Sequence, residues 1–268
     1  MKNIVEQYCE LPKSVRKPLW SFWHKLILKL DKEQKTVFLN YGYASPNGEF
    51  KDLVISPEEE ADRYSIQLYH RVTKNHDFAN THVLEVGSGR GGGASFLTRT
   101  FKPASYTAID LAQKTIDFCN EHHKVPNLKF LKGDAENLTF ENEKFDAVVN
   151  VESARCYPNI DVFFKEVMRV LKPGGKFLYA DMIKKEELPK IEGLLAKTGF
   201  KTIDKTDIRE NVVLALKKDS EARKKDIDGR VPKLIRTSFY EFAGVEGSDR
   251  YKSFESSEMQ YWSFTLQK

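Results

Sequence analysis

The sequence predicts an α/β fold built on a doubly wound, mostly parallel sheet, with an antiparallel final strand and a helical cap. Three observations carry this. Short apolar strands alternate with helical segments across residues 80–206. That order gives parallel strands covered on both faces. The first strand, HVLEVG, runs straight into the glycine-rich turn GSGRGGG and a helix start, the arrangement that places ligands at the end of such sheets. Finally, about forty mostly helical residues precede the closing stretch SSEMQYWSFTLQK, too long for a plain connection.

The elements follow in order. Residues 1–79 read as helices and a flap. In LWSFWHKLILKL (19–30), Leu19, Phe22, Trp23, Leu26, Ile27 and Leu30 share one helical face. The stretch is too short to span a bilayer and carries Lys25 and Lys29. It packs on the main domain, or serves as a flap over a ligand or a peripheral membrane contact. FLNYGYASPNGEF (38–50) is a loop broken by Pro46, Asn47 and Gly48. A helix begins at SPEEEADRYSIQLYHRV, with Ser56 as N-cap, Pro57 at the first helical position and Glu59 completing a capping box.

Residues 80–206 form the core. After HVLEVG comes a helix from Gly92 to Thr100, then strand SYTAID ending at Asp110 and a helix from Ala112 to His123. NLKFLKGD and FDAVVNV are strands. DVFFKEVMRVL is a helix stopped by KPGG, and KFLYADM is the next strand. Residues 207–256 form the cap, with an apolar inner wall from Val213, Leu214, Leu216, Leu234, Ile235, Phe239 and Phe242. Residues 257–268 alternate and are rich in β-formers, and return as the final strand.

Composition narrows the function. Across 268 residues, 43 Lys and Arg face 39 Asp and Glu. This excess is small and spread along the chain, so nucleic acid is not the expected partner. Cys9, Cys119 and Cys156 stand far apart with no CxxC, which argues against disulfides or zinc and for a reducing, cytoplasmic setting. The adjacent histidines of CNEHH (119–123) point in different directions near a helix end, so no metal is expected. The opening MKNIVEQYCE has no apolar signal region.

The glycine turn narrows the ligand. Gly87, Gly89 and Gly92 satisfy G-x-G-x-x-G, a pattern that permits close backbone approach without naming the ligand. No Gly-Lys-Ser/Thr follows, which excludes a Walker A loop. A dinucleotide and S-adenosylmethionine remain. Glu85 stands two residues before Gly87, where a dinucleotide turn usually has apolar residues. Asp110, about twenty residues on, suits a ribose hydroxyl pair in either case. Asp134 in GDAENLTF is placed to accept from an adenine amino group.

As an ordered set, VLEVGSGRGGG, AID, GDAENLTF, FDAVVNVES and EVMRVLKPGG resemble the class I S-adenosylmethionine-dependent methyltransferases over residues 80–182. Most of the chain, through VFLNYGY, LYHRV, GGGASFLTRTFKPASYTAIDL, NVESARCYP and EFAGVEG, resembles the phthiotriol/phenolphthiotriol dimycocerosate methyltransferases, which O-methylate long-chain lipids. The resemblance implies a Rossmann-like methyltransferase sheet with S-adenosylmethionine at its carboxyl edge. Gly87, Ser88 and Gly89 would lie against the methionine part, with Glu85 orienting the turn. Asp110 would take the ribose, Leu111 would lie under the adenine, and Asp134 and Ala135 would hold its edge. Asn150 would line the methionine side. Tyr41 and Tyr43 of NYGY suit closure over the sulfonium, because an aromatic face attracts a cation, or they anchor a turn.

The activity expected is O-methylation of a hydroxyl on an apolar or lipid-like small molecule. Nitrogen or carbon acceptors, and a catalytically silent cofactor-binding protein, are the rivals. Methyl transfer needs an aligned nucleophile and a dry site, and an alcohol gains from a general base. In the related enzymes a histidine commonly stands three residues after the glutamate of NVESARCYP. Here that residue is Arg155, which stays protonated and cannot be a base. Asp181 is the first candidate base, Glu152 the second and His70 the third. Arg155 is placed to pair with Asp181 or to bind an anionic group on the acceptor.

Overall fold

A computed structural model of the protein describes residues 30, 31, 35–51 and 53–268. Leu30 apart, the amphipathic stretch at 19–30 lies outside the described residues, as does Cys9. Strands β1 (His82–Val86), β2 (Ser105–Asp110), β3 (Leu128–Lys132), β4 (Phe145–Val151) and β5 (Leu171–Lys184) run parallel. β6 (Lys201–Asp207) and β5 flank β7 (Met259–Gln267), which is antiparallel to both. The order is β3-β2-β1-β4-β5-β7-β6. The winding direction reverses between β1 and β4, so the ligand crevice of a doubly wound sheet opens at their carboxyl ends.

Side-chain alternation explains the two covered faces. From β1, Val83 joins a core with Ile66, Phe96, Ile116 and Val212. Leu84 and Val86 join another with Phe163, Phe164, Val167 and Leu195. The first core is covered by α1 (Arg63–Thr73), α2 (Gly92–Phe101), α3 (Gln113–His122) and α6 (Arg209–Arg230). The second lies under α4 (Ile160–Val170) and α5 (Leu188–Thr198). Two short helices, α7 (Arg236–Ala243) and α8 (Asp249–Glu255), complete the region before β7.

Three elements differ from the sequence reading. The helix expected at Ser56 starts as a 3-10 turn, Pro57–Asp62, before α1. Ser56 N–H donates to the Glu59 carboxylate at 3.1 Å. The KPGG turn does not precede β5 but lies inside it: Leu171 pairs with Phe145, and the register shifts before Lys176 pairs with Ala147. β6, KTIDKTD, was not anticipated. It is an edge strand, and charge is how edges resist further pairing.

In the region after β6, Val213 and Leu216 pack onto the first core. Phe239, Ile235 and Phe242 form a separate cluster with Ile227 and Val231. Leu234 corrects the expected inner wall, since it is 95% exposed in the turn Lys233–Ile235. Arg223 ties α6 to the segment before α1. It pairs with Asp219 at 2.7 Å and donates to the carbonyls of Ala243 at 3.0 Å and Tyr41 at 3.2 Å. Among the described residues, no helix is long and apolar enough to cross a membrane.

Candidate active site

The glycine turn is held by the end of β2. Gly87 and Ser88 both donate backbone N–H to the Ile109 carbonyl, at 2.9 and 3.0 Å. Gly89 N–H donates to one oxygen of Asp110 at 3.1 Å, and Ala112 N–H to the other at 3.0 Å. Gly87 has φ +77, a left-handed conformation that glycine adopts without strain. A side chain there would also run into Ser153. Asp110 thus clamps two turns while each carboxylate oxygen keeps a second lone pair for a ligand.

Glu85 sits under this turn. The carboxylate is fully buried and accepts from the hydroxyls of Tyr69 at 2.9 Å and Tyr106 at 2.7 Å. Burial pushes its pKa up to about 7, and the two tyrosine hydrogen bonds oppose the rise. Glu85 therefore fastens α1 to β1 and β2 rather than bonding to the turn itself. Gly93 makes this possible: a Cβ there would fall within the Tyr69 ring.

Two small hollows flank Gly87. One, of about 50 Å³, is lined by Val86, Ile109, Leu111, Ala135 and Pro158, with Asp110 and Asp134 at its edge. The other, of about 60 Å³, is lined by Phe38, Tyr69, Ser88, Gly89, Glu152 and Arg155 among others. Both include Gly87, Asp110 and Ser153. Ser153 Oγ lies 2.7 Å from the Tyr157 hydroxyl, and this pair stands over Gly87 between the hollows. Asn150 lies beneath. It donates to the Val86 carbonyl at 2.8 Å and to the Tyr157 hydroxyl at 3.2 Å, so it braces β1 against β4. Ser153 and Tyr157 were not singled out from sequence, because nothing in ESARCYP shows that the chain folds back over the glycine turn.

These residues fit S-adenosylmethionine. The first hollow offers an apolar slot with a carboxylate edge for an adenine. Asp110 stands at the strand end where a ribose diol would lie. Where the methionine part would lie, the buried Ser88 hydroxyl has no hydrogen-bond partner among the described residues, a capacity that a ligand would fill. Asp110→Ala should weaken binding of S-adenosylhomocysteine about tenfold to a hundredfold by calorimetry, the effect of losing ~1.5–3 kcal/mol of charge-assisted hydrogen bonding. An unchanged affinity in the folded variant would count against this placement of the ribose.

The three candidate bases separate clearly. Asp181 is 0% exposed and lines neither hollow. It accepts from Arg155 Nη1 at 3.0 Å, Arg155 N–H at 3.0 Å and Met182 N–H at 2.9 Å. The Arg155 pairing read from sequence is present, and it occupies Asp181, which corrects its choice as base. His70 is also misplaced for that role. Its ring packs edge-on against Phe50 at 4.8 Å and near Phe101 at 5.9 Å, away from both hollows.

Glu152 is the candidate that reaches the site. It lines the hollow that would take the methionine part, is half-buried, and adopts φ +50. A non-glycine residue held in that region is strained and commonly marks a functional site. Oε1 accepts from Tyr41 N–H and the Tyr261 hydroxyl, each at 2.8 Å, while buried Oε2 has no hydrogen-bond partner among the described residues. Burial pushes its pKa up to about 7, opposed chiefly by Arg155. Tyr43, expected over the cofactor, instead donates to Glu49 at 2.8 Å and packs on Phe50, so it anchors the 41–50 turn.

Sheet, switch point and carboxyl-edge hollows place a ligand site where doubly wound folds bind their ligands. The model of the methyltransferase domain matches residues 84–179. The chain is 38% identical over 255 residues to a phthiotriol/phenolphthiotriol dimycocerosates methyltransferase of Mycobacterium tuberculosis, covering 95% of this chain and 94% of that one. It is 44% identical over 207 residues to a fatty-acid O-methyltransferase of Mycolicibacterium smegmatis, covering 76% and 74%. The crystal structure of the [4+2]-cyclase SpnF superposes with a TM-score of 0.71 at 19% identity, covering 92% of this chain and 94% of that one. That likeness shows the fold. The chain belongs to the family of S-adenosylmethionine-dependent methyltransferases that includes the phthiotriol/phenolphthiotriol dimycocerosates enzymes.

Proposed function

We propose that the protein transfers a methyl group to a hydroxyl oxygen on a lipid-like acceptor, with Glu152 as general base. One observation carries the acceptor class. A cavity of about 930 Å³ shares Val37, Phe38, Leu39, Asn40 and Phe242 with the methionine-side hollow. Its walls combine Leu30, Ile227, Val231, Phe239 and Ala243, an apolar surface suited to an alkyl chain, with charged residues that include Asp62, Arg99, Asp219, Arg223 and Arg230. The relatives named for phthiotriol lipids and for fatty-acid O-methylation support an oxygen acceptor on a long chain.

Bound S-adenosylmethionine would supply an electrophilic methyl group. The protein's part is to align the acceptor, exclude water and take a proton. Tyr41 N–H and the Tyr261 hydroxyl hold Glu152 Oε1, leaving Oε2 to receive the hydroxyl proton as the oxygen becomes a nucleophile. A carboxylate with a pKa near 7 is well matched to that step at neutral pH. Asp181 keeps the Arg155 guanidinium in place beside it.

Long-chain primary alcohols should therefore compete with the acceptor better than short polar ones in a transfer assay, each buried methylene adding ~0.8 kcal/mol. Equal competition by both would remove the lipid reading.

A further inference from the structure

Glu152 and Arg155 line the same hollow. Each holds one buried polar atom with no hydrogen-bond partner among the described residues: Glu152 Oε2, an acceptor, and Arg155 Nε, a donor. Local structure keeps the two together. Arg155 stands in the 3-10 turn Ala154–Cys156, and its Nη1 donates to the Glu152 carbonyl at 2.8 Å. Two other side chains of the hollow are occupied differently. Arg90 pairs with Asp31 at 2.8 Å and lies over the Phe118 ring at 4.1 Å. Ser88 belongs to the glycine turn, the end given to the cofactor. The large cavity shares Phe38 and Phe242 with this hollow, so a chain lying in it leads here.

The charge of Arg155 already has its counterpart. Asp181 accepts from Nη1 and from the Arg155 backbone N–H, each at 3.0 Å. What remains is one directed N–H, and a buried donor left unmade is costly. A ligand group that answers both open atoms must accept one hydrogen bond and donate another. A hydroxyl does both. An ammonium only donates, and an ionised carboxylate only accepts.

We propose that Arg155 selects oxygen over nitrogen acceptors: its Nε–H donates to the acceptor hydroxyl oxygen while Glu152 Oε2 accepts the hydroxyl proton. As the O–H bond breaks, the proton passes to Oε2 and the electron pair stays on oxygen. Nε–H then faces one lone pair, steadies the developing negative charge and leaves another pair free to react. An aliphatic amine, by contrast, arrives protonated at neutral pH, as a lysine side chain does. It leaves Nε–H unpaired and sets a second positive charge against the guanidinium. The proposal rests on the reading above, in which the acceptor is a hydroxyl and Glu152 the base.

The test compares octan-1-ol with octan-1-amine, equal in chain length, on purified protein saturated with S-adenosylhomocysteine at neutral pH. Thermal melting over a range of ligand concentrations gives the apparent affinity of each for wild type, Arg155→Met and Arg155→Lys. Wild type should bind the alcohol about tenfold or more tightly than the amine, the effect of one buried donor left unsatisfied. Arg155→Met should lose this preference, because the donor and the repelling charge go together. Arg155→Lys keeps a charge and a donor and should retain part of it. A side chain that only supported the fold would weaken both ligands alike. If Arg155→Met does not fold, the paired change Asp181→Leu with Arg155→Met takes its place. An unchanged preference in a folded variant without Arg155 would overturn the proposal, as would a wild type that binds the amine as tightly as the alcohol. Loss of the preference in Arg155→Met alongside normal methyl transfer by Glu152→Gln would support the role of Arg155 and remove Glu152 as base, so the two fail separately.

Discussion

Glu152→Gln should slow single-turnover methyl transfer about 100-fold or more, a usual contribution of a general base, while S-adenosylhomocysteine affinity stays as in the wild type. The amide keeps the size of the side chain but cannot take a proton at the position of Oε2, which bonds to no donor among the described residues. The wild-type rate should rise as pH passes through about 7, where burial has moved the Glu152 carboxyl, and the variant should lose this dependence. Stability runs the other way. Because the folded-state pKa lies above the unfolded value of 4.5, Glu152 favours the fold most below that lower value. The contribution is lost as pH rises through about 7, so Glu152→Gln should melt higher than wild type at alkaline pH. A normal transfer rate in the folded variant would exclude Glu152 as the base.

Asp181→Ala should destabilise the protein by ~3–5 kcal/mol, the cost of removing one partner of a buried ion pair. Asp181 accepts three hydrogen bonds, two of them from Arg155, so its loss leaves the largely buried Arg155 charge without its hydrogen-bonded carboxylate. Replacing both residues, as Asp181→Leu with Arg155→Met, should recover much of the loss, since a well-packed apolar pair removes the unpaired charge. Chemical denaturation of the single and double variants measures this coupling. A double variant no more stable than Asp181→Ala would show that Asp181 acts through something other than Arg155.

The parallel sheet was legible because its strands are apolar on both faces, and its glycine turn because only a tight backbone fits between β1 and the Ser153–Tyr157 pair. The strand-end position of Asp110 was legible from its spacing. β6 was not, because KTIDKTD trades the apolar pattern of a buried strand for the charge of an edge. The order of candidate bases proposed here differs from the sequence reading for a spatial reason. Strand-end position suggested Asp181, but sequence gives no distance between residues 155 and 181, and the 3.0 Å pairing is what removes it. Glu152 gained its place from contacts more than one hundred residues away in sequence, with Tyr41 and Tyr261. The triple glycine of GSGRGGG hid a packing role as well: Gly93 makes room for the tyrosine that holds Glu85.

Transfer of a labelled methyl group from S-adenosylmethionine into a total lipid extract, with the product identified by mass spectrometry, tests the central claim most directly. The label should appear on an oxygen of a long-chain product with the wild-type protein, and should be nearly absent with Glu152→Gln. Label on nitrogen or carbon, or on short polar products alone, would contradict O-methylation of a lipid-like acceptor at this site.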